Sequence, residues 1–533
     1  MKKRLLALIL AGLLVFTALS GCGTNPSPTP STAAPTPSGA NSTVEPSPTE
    51  APMTYNGIDV SKPVDLVCYL IGGPESTGMP AVMDAANKIL KDKINATFSV
   101  QYIDWGNYES TYASILAAGT GVDVILSGDW LSYGQQVQLG AFYPLSKDDL
   151  AKYAPNAVAN IPQEGWDASL VNGVNYLIPS EPTIDANNYF LVRGDLIKKY
   201  NLAVPTGYMD LEPYFKAIKD NEPDMIPFNG SADEVAQGSP FWLFIGHQFS
   251  GIFPSGGSGV FAYTDVPDLK PMGLLNDFES AVLQGAKMAK DWYDKGYINQ
   301  AILSADTGTC DNFVNGRSGI AFGNTTSLQP YAIKAAELGY EPILIAKDSW
   351  NAKGMAPDYV GGMSVAATCK NPERAMMFLD LMMFDPELSM LLYNGIEGVN
   401  YVMDGDKKAL PPGVTADTNT YSGEAQGFWV VPLSARVPDA GLPDQYIQVY
   451  EKVQTDYNHY QPRAGFTLNA DAVSTEAASV ASVWFELLPP LQAGAVGDVD
   501  KAWAELKQKM MDAGWQKLYD TAVEQVNAFN AGK

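Results

Sequence analysis

The stretch Val64-Asp65-Leu66-Val67-Cys68-Tyr69-Leu70, closed by Gly72-Gly73-Pro74, decides the fold class. A short apolar-rich run bounded by turn residues predicts a buried strand. A helix follows, with Val82, Ala85, Ala86, Ile89 and Leu90 on one face. Thr97 to Ile103 alternates as a second strand, and a second helix starts near Tyr108 with Tyr112, Ile115 and Leu116 on one stripe. Asp123-Val124-Ile125-Leu126-Ser127 is a third strand. Strands and helices alternating at this spacing imply an α/β fold with parallel pairing and helices on both faces of the sheet. Loops after parallel strands gather along one sheet edge, where open α/β folds bind ligands. Here they are Gly72-Gly73-Pro74-Glu75, Asp104-Trp105-Gly106-Asn107 and Ser127-Gly128-Asp129-Trp130, two of which carry an acid beside a tryptophan.

Further along, Asn175 to Pro179 leads to Tyr189-Phe190-Leu191-Val192-Arg193, which reads as a crossing into a second lobe. That lobe holds the segment Leu211 to Ile218, the aromatic stretch Phe241-Trp242-Leu243-Phe244, and a long helix. The helix carries Phe278, Ala281, Val282, Gly285, Met288, Ala289 and Trp292 at helical spacing and stops at Gly296. Asn315 to Gly323 reads as a turn and a short buried strand, and Glu341 to Ala346 as another strand. The chain crosses back near Tyr359-Val360-Gly361-Gly362, so that Met363 to Thr368 rejoins the first sheet. Pro372 opens a helix, a favourable place for proline. Asp498 is a helix N-cap, and Gly514 breaks the helical C-terminal part before a last apolar stripe from Trp515 to Phe529.

The N-terminus carries Lys2, Lys3 and Arg4, then an apolar run from Leu5 to Leu19, then Ser20-Gly21-Cys22. Basic flank, short apolar core and small residues form a secretory signal pattern. The run is shorter than the roughly 20 apolar residues of a membrane span. Leu19-Ser20-Gly21-Cys22 resembles a bacterial lipobox, which implies that Cys22 becomes the lipidated first residue. Pro26 to Pro52 is dominated by Pro, Ser and Thr, a solvated and extended spacer. The expectation is a protein lipid-anchored on the extracellular face of the cell membrane.

Removing the three basic residues of the leader leaves 31 basic against 59 acidic residues, a net charge of −28. Such a body repels nucleic acid and anionic lipid head groups. Cys68, Cys310 and Cys369, far apart and odd in number, are neither a disulfide framework nor a zinc pattern. Free buried thiols are the favoured reading, with one disulfide as the alternative. His247 and His459 lack ligand-spaced partners, so no metal is expected. A nucleophile elbow fails at Gly316-Arg317-Ser318-Gly319-Ile320, and no Walker A motif is found. Gly257-Ser258-Gly259 follows a proline and a serine rather than a strand, so it reads as a flexible loop and not a dinucleotide fingerprint. No cofactor is expected.

With its lipobox, tether, two crossings, Gly395-Ile396-Glu397-Gly398-Val399-Asn400-Tyr401 and terminal Asp512-Ala513-Gly514-Trp515, the chain resembles the extracellular solute-binding lipoproteins of ABC importers. The similarity is to the maltose-binding-protein-like type, in a long Gram-positive subgroup. It implies a two-lobed periplasmic-binding-protein-like α/β fold with crossing hinge strands and a helical C-terminal extension. The implied divisions are signal peptide 1–21, tether 22–54, lobe 1 at 55–183 plus 360–420, lobe 2 at 184–359, and a mostly helical part at 421–533 packing on the lobes. It also implies a monomer that closes over a carbohydrate, most often an oligosaccharide, and delivers it to the transmembrane permease subunits.

Sugar recognition needs aromatic faces against C–H surfaces and planar polar groups around hydroxyls. The residues expected to supply them are Glu75, Asp104, Trp105, Asn107, Asp129, Trp130, Trp242, Asn324, Glu397 and Trp429, with Trp350 a further loop tryptophan. Trp105 and Trp130 would face Trp242 across the cleft. The expectation is no enzymatic activity. The alternatives are a secreted glycosidase-like enzyme, for which two carboxylates suffice, a binder of a peptide or other small solute, or a chaperone or adhesin.

Overall fold

The computed structural model describes residues 52–532 apart from 74–75, 106–107, 182–188, 233, 235–237, 243, 245–248, 253–255, 264–265, 347–360, 417 and 456–464. Cys22 and most of the tether, Glu75, Asn107, His247, Trp350 and His459 lie outside the described residues. In chain order the first lobe opens with β1 (Val64–Ile71), α1 (Met79–Ile94), β2 (Ala96–Ile103), α2 (Tyr108–Ala118), β3 (Val124–Gly128) and β4 (Leu177–Pro179). The second lobe has β5 (Tyr189–Arg193), α3 (Leu211–Asn221), β6 (Val260–Tyr263), β7 (Lys270–Gly273), α4 (Glu279–Asp294), β8 (Ile320–Gly323), α5 (Gln329–Glu337) and β9 (Pro342–Ala346). The chain returns to the first lobe for β10 (Gly361–Val365), α6 (Pro372–Phe384) and α7 (Pro386–Asn394). It ends with α8 (Asp444–Thr455), α9 (Ser474–Gln492), α10 (Val499–Asp512) and α11 (Trp515–Ala531).

The first sheet has the order β2-β1-β3-β10-β4. β1 pairs in parallel with β2 and β3, as the alternating pattern requires, while β10 is antiparallel to both β3 and β4. Every residue of β3 is buried, so this strand is covered on both faces. One apolar core runs from Val60 through β1–β3 and α6 to Ala435. Cys68 and Cys369 are buried free thiols and Cys310 is a half-buried one.

In the second lobe β8-β5-β9 is antiparallel. One of its faces buries Phe190, Val192, Phe215 and Trp292, and the other Leu191, Phe313, Leu344 and Tyr446. A third cluster joins Phe241, Val260 and Val282 to the C-terminal helices through Trp484, Trp503 and Trp515. Residues 421–533 are therefore divided in their packing. Tyr421 to Ala435 belongs to the first core, α8 lies on β9, and α9–α11 complete the second lobe. Asp498 does cap α10, accepting from Lys501 N at 3.0 Å, and Gly514 takes φ +100° before α11. Gly256–Ser258 is a 3-10 turn, and Gly257 and Ser258 are buried beneath α9 rather than forming an open loop. Among the described residues no helix is long and apolar enough to cross a membrane.

Asp380 on α6 is fully buried, accepting from Ala157 N at 2.7 Å and Asn156 Nδ2 at 2.8 Å. Burial outweighs these donors and pushes its carboxyl up to about 6. The folded state therefore keeps a proton that the unfolded chain has lost between about pH 4 and 6. The contribution of this group is fully present below pH 4 and is lost as pH rises through 6. Acidification from pH 7 to 4.5 should thus regain stability at this site, on the order of 2 kcal/mol. Melting curves of the wild type and Asp380→Asn across that range check this. The gap between them should depend on pH only below about 6.5, and parallel curves would contradict the assignment.

Candidate functional site

The C-terminal ends of β1, β2 and β3 lie along one edge of the first sheet because these strands are parallel. β4 also ends there and β10 starts there, Gly361 opposing Gly128 and Gly362 opposing Pro179. The chain therefore leaves this sheet for β5, and returns to it after β9, at this edge.

Trp105 lies two residues past the end of β2, and Trp130 sits in the 3-10 turn Asp129–Leu131 that follows β3. Their indoles stack, with centroids 5.8 Å apart and planes 18° apart. Trp429 joins from the distant 423–431 segment, 5.5 Å from Trp105 at 31°. Tyr108, the first residue of α2, meets Trp105 and Trp130 edge-on at 5.7 and 5.6 Å. Trp105 remains 49% and Trp130 42% exposed. Two half-exposed indoles in one cluster form the kind of apolar patch, set among polar groups, that marks a binding surface.

The 423–431 segment is held against the strand ends by its own chemistry. Gly427 has φ +77°, and a Cβ there would come within 2.5 Å of Ile71 O, so only glycine fits. Buried Gln426 accepts from Tyr102 O–H at 2.9 Å. Leu433 N donates to Glu181 Oε2 at 2.7 Å, tying the segment to the residues just after β4. The Trp429 indole N–H donates to Glu424 O at 2.7 Å, and the Arg436 guanidinium donates to Trp429 O. The indole edge is thereby fixed to the protein itself, which leaves its ring face for contacts.

Asp104 is exposed and Asp129 half-buried, each next to its tryptophan in the cluster. Trp242 is placed differently. It packs edge-on to Phe241 and Phe261 and lies 6.3 Å from Trp484 on α9, in the apolar cluster of the C-terminal helices. Asn324 lies at the end of β8, but its Oδ1 accepts from Thr326 N at 2.9 Å and Ser327 N at 2.6 Å in the turn leading to α5. Glu397 is exposed in the tight turn after α7, where Gly398 N donates to Tyr401 O. None of the described contacts links Asn324 or Glu397 to the tryptophans. Tyr108, Gln426 and Arg436 are parts of the site that sequence reasoning missed. The spacing of Tyr108 from Trp105, three residues across a strand-to-helix loop, is the one signal that pointed to it. Among the described residues no group of His, Cys, Asp or Glu could hold a metal.

Residues 84–399 match the sequence model of the family described as bacterial extracellular solute-binding protein. The chain belongs to this family. A second match, to a domain of unknown function, covers residues 462–531, the helices that complete the second lobe of this solute-binding protein. The chain is 24% identical to a carbohydrate ABC transporter substrate-binding protein of Streptococcus pneumoniae serotype 4, over 89% of this chain and 92% of that one. It is 25% identical to the lipoprotein LipO of Bacillus subtilis, over 72% and 76%. In structure it resembles the N-glycan transport solute binding protein NgtS of Streptococcus pneumoniae, with TM-score 0.70, 21% identity, and 88% of this chain and 99% of that one covered. The complex of NgtS with Man5GlcNAc aligns with TM-score 0.65 over 89% and 99%, at 21% identity. The two-lobed fold expected from the sequence is thus the fold of solute-binding proteins.

Proposed function

We propose that this solute-binding protein is the extracellular, lipid-anchored receptor of an ABC importer and that it carries an oligosaccharide. The observation that carries the reading is the Trp105–Trp130–Trp429 cluster on the sheet edge from which the chain leaves for the second lobe. Stacked aromatic faces suit the C–H side of pyranose rings, and Asp104 and Asp129 stand beside them for hydroxyls. The pneumococcal relative named as a carbohydrate substrate-binding protein supports the same solute class, as does the neighbour bound to Man5GlcNAc.

The mechanism is a population shift. A ligand gripping the tryptophan surface and the facing edge of the second lobe (the ends of β8 and β9) binds the closed form better than the open one. It shifts the equilibrium by that differential affinity and no more. Transmembrane permease subunits then select closed, loaded protein, and no bond in the cargo is broken. Cys22 of the lipobox-like Leu19-Ser20-Gly21-Cys22 carries the acyl anchor, and more than one chain gives stable membrane attachment.

The test is a melting screen of the mature protein against oligosaccharides, followed by X-ray scattering with each hit. The expected result is a thermal upshift, a smaller radius of gyration, and no new reducing ends after prolonged incubation. Cleavage would make the protein a glycosidase. Upshifts with peptides alone would change the solute class.

A further inference from the structure

A cavity of about 300 Å³ lies between α5 and α8 of the second lobe and the 393–424 segment of the first, closed along one side by Arg436 to Asp439. That size is the lower end of small-molecule sites. Its wall is rich in tyrosine and asparagine, including Tyr393, Tyr401, Tyr446 and Asn400.

Lys408 is the unusual member. Its ammonium donates to Asn394 Oδ1 at 3.1 Å and lies 5.6 Å from the Tyr393 ring. Among the described residues no carboxylate comes within ion-pair distance of it. The nearby acids have other work: Glu424 accepts from Tyr393 O–H at 2.8 Å, and Asp439 Oδ1 accepts from Gly441 N at 2.8 Å. The Arg436 guanidinium flanks the other side of the same Tyr393 ring at 5.7 Å. Burial pulls the Lys408 pKa below the usual lysine value, as expected for an ammonium whose counter-charge is not in contact. A half-buried cation with spare N–H donors, lining a cavity, is stabilised by an anion that enters it. In a body carrying so large an excess of acid, such a cation is the more telling.

We propose that this cavity is a second ligand subsite that takes a carboxylate-bearing sugar ring, its carboxylate on Lys408 and its ring face against tyrosine. The proposal rests on the reading of the chain as a sugar-binding protein, but not on the tryptophan cluster. The cavity and that cluster share one strut: Glu424 O holds the Trp429 indole while the Glu424 carboxylate faces the cavity. An occupant touches both lobes and so favours one hinge angle over others.

The test titrates the mature protein with sodium glucuronate and with glucose, following intrinsic fluorescence and calorimetry. Glucuronate should bind at least tenfold more tightly than glucose. Lys408→Met should abolish that preference, Lys408→Arg should keep part of it, and Trp105→Ala should leave it unchanged. Unliganded Lys408→Met should melt no lower than wild type, because the ammonium removed pays a desolvation cost and touches no carboxylate. Equal affinity for the two sugars, no binding of either, a preference that survives in Lys408→Met, or a lower melting point of that variant would each overturn the proposal. Loss of neutral oligosaccharide binding in Trp105→Ala, with glucuronate binding intact, separates the two surfaces. Absence of any neutral oligosaccharide binding with glucuronate still bound would sink the tryptophan reading and leave this one standing.

Discussion

Replacing Trp105 with alanine should weaken binding of the oligosaccharide at least tenfold and leave the fold almost as stable as before. Trp105 is the centre of the cluster, touching Trp130, Trp429 and Tyr108. Its removal takes away one stacking surface and leaves Trp130 without the ring it stacks on. Aromatic contacts are worth roughly 0.5–1.5 kcal/mol beyond area burial. Adding the apolar area lost to the ligand brings the total above the ~1.4 kcal/mol that corresponds to tenfold. Stability should change little because the side chain is already half in water. Calorimetric titration gives the first quantity and thermal melting the second. Unchanged affinity with a stable protein would remove Trp105 from the ligand surface. A large drop in melting temperature would instead make it a packing residue.

Replacing Trp515 with alanine should have the opposite profile: a severe loss of stability and no direct effect on the tryptophan surface. Trp515 is fully buried at the start of α11 and stacks on Tyr519 with centroids 5.3 Å apart. Gly273 at the end of β7 lies so close that a Cβ there would meet the indole Cη2 at 2.6 Å. Emptying such a site costs about 3–5 kcal/mol. The indole N–H has no hydrogen-bond partner among the described residues, so the polar atom itself contributes nothing favourable. Trp515→Phe should therefore be much milder, about 1 kcal/mol, since it keeps most of the ring and discards the orphan donor. Denaturant unfolding of the second lobe distinguishes the pair. Equal losses for both variants would mean that the N–H is satisfied after all. Gly273→Ala should resemble Trp515→Ala, because the ring has nowhere to retreat.

What the sequence made legible follows from which contacts are local. The strand ends at Ile103 and Gly128 could be placed along one edge from the β/α alternation alone, and Asp104-Trp105 and Asp129-Trp130 came with them. Trp429 was picked out only as a loop aromatic. Nothing near it in sequence showed that Gly427 and Gln426 would hold it against strands more than 320 residues earlier. Trp242 looked like a cleft residue because its stretch is aromatic and irregular. Its neighbour Trp484 sits on a helix that amphipathic pattern alone assigns to no partner. Asn324 has a local use that the sequence allowed: asparagine before Thr-Thr-Ser satisfies backbone N–H groups two and three residues on, an ordinary turn device. The cavity around Lys408 was invisible, being assembled from a hairpin, two helices of the other lobe and a crossing segment.

The order of strands in the first sheet bears on how this chain reaches its folded form outside the cytoplasm. Its fourth-placed strand, Gly361–Val365, lies between Val124–Gly128 and Leu177–Pro179, and so separates two strands made long before it. A chain emerging N-terminus first would present those earlier strands with a gap between them while some 180 intervening residues are still to come. Bare sheet edges are sticky, and pairings distant in sequence form slowly. Folding should then wait on the arrival of one late, glycine-led pentapeptide, and folding helpers would act during that wait.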